Sequence, residues 1–252
     1  MKASDDWWSE PPANVLLSGS DVHLWFSSLD LPLPSLQQLE LLLDEEERER
    51  ANGFCFERER ARFVVGHGLL RRILGHYLGV ESSELCFDYG SRGKPSLSEG
   101  FGGGRIQFNL AHSDGYVIYA VTLDRKIGVD LERVVPIVEL KQIANRFFSD
   151  REKTALHALT GNEQHEAFFK IWTAKEAYVK ACGEGLAHLL NQIDAPIDSG
   201  ESPCSLRVTC DMREDSRWSL EQVRPASGFI AAVVVEGCNY HLACWRLREL
   251  GC

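Results

Sequence analysis

The sequence predicts an α+β protein, and the pattern of its apolar residues carries that prediction. Residues 35–78 and 139–182 show helical spacing with interruptions, whereas residues 21–28, 105–133 and 205–247 alternate or run apolar as strands do. Each half of the chain therefore runs strand, helices, strands. With 252 residues, 44% hydrophobic and 25% charged, the chain can bury a real core as one large domain or as two half-size lobes.

Residues 1–20 mix Pro11, Pro12, Ser18 and Gly19 without a period and read as a loosely attached arm. Residues 21–28 read as a strand with Val22, Leu24 and Phe26 on one face, ended by Pro32 and Pro34. A helical period opens at Ser35, and residues 44–62 continue as charged helix with Arg48, Arg50, Arg58, Arg60 and Arg62 among acids, the pattern of a solvated face laced with i,i+4 pairs. Residues 61–78 put Phe63, Val64, Leu69, Leu70, Ile73 and Leu74 on a core-facing helix, with Gly66, Gly68 and Gly75 allowing close packing and His67 as a structural residue.

Residues 87–95 read as strand and turn, shaped by Gly90, Gly93 and Pro95. The glycine-rich stretch 100–104 is a loop, and it lacks the Gly-Lys-Ser/Thr ending of a phosphate-binding P-loop. Residues 105–110 form a strand that delivers Ala111, His112 and Ser113 to its end, and residues 115–133 form a hairpin through Asp124 and Arg125. Residues 139–148 are helical, and Ser149 caps residues 150–159 with Glu152 closing a capping box. Residues 163–182 form a bulky helix stopped by Gly183 and Gly185. Strands over 205–211, 217–223, 229–235 and 240–247 complete the sheet of the second half.

Chemistry concentrates between Ile127 and Lys180. On the strand Ile127-Gly128-Val129-Asp130-Leu131-Glu132, alternation sends Ile127, Val129 and Leu131 to the core and places Asp130 and Glu132 on the other face, roughly 7 Å apart. On the later helix Trp172, Glu176 and Lys180 share a stripe, because residues four apart are neighbours. Three carboxylates facing one point suit Mg²⁺, which takes a few carboxylate oxygens, keeps waters and completes its shell with substrate phosphates. The alternative from spacing alone is a solvated acidic face with a surface Glu-Lys pair worth a few tenths of a kcal/mol.

The net charge of -10 argues against a general nucleic-acid binder. No apolar run reaches the roughly 18 to 20 residues that span a bilayer, and the acidic start is unlike a signal peptide, so a cytoplasmic protein is expected. The 8 cysteines include no C-x-x-C spacing and read as free thiols.

Five segments in order resemble the Sfp-type 4′-phosphopantetheinyl transferases: Gly93-Lys94-Pro95, Phe108 to Ser113, Ile127 to Asp130, Arg146-Phe147-Phe148-Ser149 with Glu152, and Trp172 to Lys180. The resemblance covers most of residues 48–186. It implies two pseudo-symmetric lobes, each a small, mainly antiparallel sheet packed against helices, over residues 21–125 and 126–252 behind the arm at 1–20. It also implies transfer of phosphopantetheine from coenzyme A to a serine of an apo acyl carrier protein, or of a carrier domain in a polyketide or peptide synthase, with release of 3′,5′-ADP by a monomer. Under it, Asp130, Glu132 and Glu176 hold Mg²⁺, and Lys180 adds charge to the same oxygens. Glu176 takes the serine proton, directly or through a metal-bound water. Arg50, Arg62, Lys94, His112, Ser113, Lys175 and Lys180 contact coenzyme A, although Lys175 neighbours Glu176 and points about 100° away from it.

Two departures from the family pattern stand out. Ala111 replaces a serine, and Glu47 sits where some members carry a base. Glu152 is either a cap or a residue near the active site. Carrier proteins are typically acidic, so steering requires a local basic patch or apolar docking. A Mg²⁺-dependent enzyme acting on a small nucleotide would turn over without a protein acceptor, and a silent carrier binder would show no loss of coenzyme A.

Overall fold

Polar breaks decide where the helices of the first half stop. The computed structural model describes residues 8–90, 93–101, 104–183, 190–195, 204–205, 207–208 and 218–247. It opens with Trp8–Ser9 (β1) and Asp21–Ser28 (β2), then divides the expected long charged helix into Leu33–Glu40 (α1), Glu45–Asn52 (α2) and Glu57–Leu78 (α3). The division follows from Asp44, whose side chain accepts from the Glu47 amide in a capping box, and from Gly53, which ends α2. A short hairpin, Phe87–Tyr89 (β3) and Pro95–Leu97 (β4), leads to Ile106–Ser113 (β5) and Tyr116–Leu123 (β6). The second half repeats this order with Ile127–Arg133 (β7), Leu140–Phe147 (α4), Asp150–His157 (α5) and Gly161–Cys182 (α6). Ile193–Asp194 (β8), Cys204–Ser205 (β9), Arg207–Val208 (β10), Trp218–Val223 (β11), Phe229–Glu236 (β12) and His241–Arg246 (β13) follow.

The repeat is close. In each half a strand, β2 or β7, is followed by two α-helices of 8 residues and one of 22. Both long helices end on a left-handed glycine, Gly79 and Gly183, which lets the next segment turn back along the helix.

The first sheet has the order β1-β13-β2-β6-β5 and the second β7-β12-β11-β9. The second sheet is antiparallel, while β13 runs parallel to both β1 and β2 in the first. This corrects three expectations. The hairpin expected over residues 115–133 does not form, because β6 pairs with β2 and β5 in the first sheet while β7 pairs with β12 in the second. Residues 240–247 do not complete the second sheet, and the amino-terminal arm is not loose from residue 8 onward, since Trp8 pairs with Cys244 and is 9% exposed. Residues 1–7, the later part of the expected strand 205–211, and Gly185 lie outside the described residues.

Strand alternation sets the layers. Val22, Leu24 and Phe26 of the first sheet meet Ile127, Val129, Leu131 and Val233 of the second in a shared core. The opposite face of the first sheet takes Leu69, Leu70, Ile73 and Leu74 of α3, and that of the second takes Phe168, Ile171, Ala174 and Tyr178 of α6. The result is helix, sheet, sheet, helix, an α+β arrangement of the expected class. Gly68 allows α1 to approach α3, since a Cβ there would lie 2.7 Å from Leu39 Cβ.

Candidate active site

The acidic strand meets the long helix through a glycine. A Cβ on Gly128 would stand 2.1 Å from the Ala177 carbonyl and 2.3 Å from the Ala181 amide, so only glycine lets β7 lie directly against the backbone of α6. Two residues further along the same face, Asp130 reaches α6 and accepts from Lys180 Nζ at 2.7 Å. Alternation along β7 and the four-residue stripe on α6 therefore converge as expected.

The other wall is the edge of the first sheet. Asn109 Oδ1 accepts from the Val129 amide at 2.9 Å, and Ser113 Oγ accepts from the Arg133 amide at 3.2 Å while donating to Glu132 at 3.1 Å. Two side chains on β5 thus do for the edge of β7 what a neighbouring strand would do. A buried amide left unpaired at Val129 would cost about 1–3 kcal/mol. Asn109 carried no role in the sequence beyond its place in a motif. Its only signal there is a polar residue inside an apolar strand.

Burial and mutual repulsion act on the acids together. Desolvation raises the Asp130 carboxyl, against the pull of Lys180. It also raises Glu132, with Asp130 and Glu176 adding repulsion, and Glu176, with Asp130 adding to it. Each pair therefore feels the other's charge. Asp130 Oδ2 is buried without a hydrogen-bond partner. Among the described residues no three His, Cys, Asp or Glu side chains form a ready-made coordination group, and Lys180 takes one oxygen of Asp130. An orphaned buried carboxylate oxygen beside two further acids still fits a hard cation that draws its remaining ligands from water and phosphate.

A cavity of about 490 Å³ opens beside Lys180, lined by Arg50, His67, Tyr89, Lys94, Asn109, His112 and Lys180 among others. The Arg50 guanidinium lies 4.3 Å over the Tyr89 ring. The Tyr89 hydroxyl is buried without a protein partner, and burial pushes its pKa up to about 12, so it stays protonated. His112 is lowered by desolvation and then by Lys180, which favours the neutral ring. Lys94 reaches the cavity, yet its ammonium donates to the Lys180 carbonyl at 2.6 Å and the Ile127 carbonyl at 3.4 Å, tying the β3–β4 hairpin to the end of α6.

Three residues sit elsewhere than their motifs suggest. Lys175 is fully buried, and its ammonium is taken by Glu152 at 2.8 Å and by the Leu190 and Ile193 carbonyls. An ammonium has three donors, so none remains for a phosphate, and the expected coenzyme A contact at Lys175 is corrected. Glu152 goes with it, as both the cap of α5 and the buried partner of Lys175. Arg62 is not among the cavity's lining residues, because Asp30 holds its guanidinium through two bonds of 2.7 Å. Glu47, at the position where some family members carry a base, is fully buried against His67 and Arg71.

Residues 126–234 match the profile of the 4′-phosphopantetheinyl transferase superfamily, and residues 33–124 match that of a 4′-phosphopantetheinyl transferase N-terminal region. The chain belongs to this family, and it is an enzyme that transfers phosphopantetheine to carrier proteins. Among its relatives, 4′-phosphopantetheinyl transferase HetI of Nostoc sp. is 41% identical over 239 residues, covering 95% of this chain and 98% of the relative. The transferase Sfp of Bacillus subtilis is 28% identical over 66% of this chain and 76% of its own length. L-aminoadipate-semialdehyde dehydrogenase-phosphopantetheinyl transferase of Xenopus laevis is 26% identical over 71% of this chain and 63% of its own. No described helix is long and apolar enough to cross a membrane.

Proposed function

We propose that the donor is coenzyme A, that the acceptor is a serine of an apo acyl or peptidyl carrier protein, and that 3′,5′-ADP leaves. The observation that carries this reading is the contact of Asp130, whose second oxygen is unspent, with Lys180, 50 residues away, which lines a cavity of about 490 Å³. Arg50, Lys94, His112 and Tyr89 would receive the nucleotide end of the donor, with the guanidinium suited to phosphate through paired charge-assisted bonds. Asp130, Glu132 and Glu176 would hold Mg²⁺, which when bound would supply Lewis-acid stabilisation of the negative charge on the pyrophosphate oxygens.

Lys180 would turn from Asp130 toward the same oxygens and stabilise the charge that grows as the bond breaks. Ser113 holds Glu132 in place by its hydrogen bond. The serine Oγ attacks the phosphorus on the pantetheine side, the bond from that phosphorus to the bridging oxygen breaks, and the bridging oxygen leaves with 3′,5′-ADP. Glu176 takes the serine proton, directly or through a water. The enzyme would act as a cytoplasmic monomer with its lobes divided near 125/126.

Purified protein with coenzyme A, Mg²⁺ and an apo carrier domain should yield a carrier heavier by one phosphopantetheine in intact-mass analysis. Unchanged mass across a panel of acyl and peptidyl carriers would remove the assignment.

A further inference from the structure

The repeated architecture hides a repeated ion pair. In each half the second short helix opens with a capping box whose glutamate, Glu47 or Glu152, is fully buried. Each glutamate meets a fully buried cation on the following long helix, Arg71 or Lys175, and each cation is the fifteenth residue of its helix. Each cation also binds carbonyls of the segment that returns after that helix: Arg71 those of Ser82 and Leu85, Lys175 those of Leu190 and Ile193. Glu152 completes its set with the Ser149 amide at 2.8 Å and the Ala195 amide at 2.7 Å. Three elements are thus pinned at one buried point in both halves, with every donor of Lys175 used.

We propose that Glu152 and Lys175 are positioning residues for the transfer reaction: a buried buckle that fixes the rotation of α6 about its axis, and so aims Glu176 and Lys180 at the cleft. Glu47 and Arg71 form the counterpart that sets α3. The aiming role rests on the site assignment proposed above; the buckle itself does not. Lys175 precedes Glu176 directly and stands about 100° around the helix from it, so a cage that holds one side chain inward fixes the direction of the other. Opening the cage from one side leaves a buried charge unpaired, which is far worse than removing both charges together.

The test compares the wild-type chain with Lys175→Met, Glu152→Gln and the double variant, measuring kcat, KM for coenzyme A and the thermal midpoint. The buckle predicts that Lys175→Met lowers kcat at least tenfold at temperatures well below its midpoint, with KM for coenzyme A within twofold, and that the double variant regains part of the loss in both kcat and midpoint. Arg71→Met should lower the midpoint with kcat unchanged, since neither Glu176 nor Lys180 lies on α3. A phosphate contact predicts the opposite for Lys175→Met: KM raised tenfold or more, kcat and midpoint unchanged, and no rescue in the double variant. That result would overturn the proposal. If Lys175→Met does not fold alone, recovery of a folded double variant supports the buckle and failure of both counts against it. A wild-type chain that transfers nothing removes the functional reading, while non-additive midpoints across the four proteins would still establish the buckle and additive ones would remove it.

Discussion

The two halves present the same surface to their long helices and fill it with opposite chemistry. In the second half the face of β7 toward α6 carries Gly128, Asp130 and Glu132, and α6 answers with Glu176 and Lys180. In the first half the corresponding face of β2 carries His23, Trp25 and Ser27, and α3 answers with Arg72 and His76. Trp25, Arg72 and His76 line a small apolar hollow of about 200 Å³ there, with no carboxylate among its lining residues. Trp25 and His23 are instead pinned by the Tyr77 hydroxyl at 2.9 and 2.8 Å. A duplicated scaffold thus supplies position only. At the matching points the second half carries Asp130, Glu132 and Glu176 where the first carries Trp25, Ser27 and Arg72, so one copy gathers carboxylates and the other does not.

The sharpest way to break this contrast is Asp130→Ala. Transfer should fall by roughly 100-fold to 1000-fold or more, since the group meets charge in the transition state, while circular dichroism stays that of the wild type. A fully active variant would mean that the acids do not form the site.

Gly128→Ala asks whether the close approach of strand and helix is what brings the acids to Lys180. A methyl 2.1 Å from a backbone oxygen forces the two apart, with an expected loss of about 3 kcal/mol in urea unfolding and a parallel loss of transfer. Unchanged stability would show that α6 has slack against β7.

Glu221 probes the core the halves share. It is 7% exposed, and burial raises its pKa to about 7. A carboxyl raised on folding is more readily protonated in the folded state than in the unfolded one, so the stability it confers is complete below the unfolded value near 4.5 and is lost as pH rises to about 7. The full swing is about 3 kcal/mol at roughly 1.4 kcal/mol per unit. Thermal midpoints should therefore decline across that window, and Glu221→Gln should flatten the decline. The smallest effect belongs to the first half, where Arg72→Ala should leave transfer within about twofold. A large loss there would make the apolar hollow part of the machinery.

Much of the second half was legible because its signals are local. Alternation in β7 and the four-residue stripe in α6 each lie within one element, and both point as the residues dictate. The position of β13 was not, because its alternation fixes a strand but not which sheet receives it, and both sheets offered an apolar neighbour. Lys175 misled for a related reason: a lysine beside the proposed base looks the same in sequence whether its stem runs to solvent or into a cage of carbonyls contributed by residues 190 and 193. The division of α1 from α2 was available in Asp44 and Glu47, a capping box of the same form as the one read at Ser149 and Glu152. The order of elements showed the two halves alike, but their residue-by-residue repeat stayed hidden since it preserves burial and spacing while exchanging arginine for lysine and aspartate for serine.

The placement of β13 has a consequence for how the chain is made. On the ribosome the residues that β2 needs to pair with β6 are available once residue 123 has been made, but the gap between β1 and β2 can be filled only after the second half has been translated. Hydrogen-bonding groups on that edge of β2 then lack their native partner while synthesis proceeds. Completion of the first sheet is thereby coupled to arrival of the strand that follows the second, and a chain halted before residue 241 would present an unfinished sheet edge to chaperones and proteases.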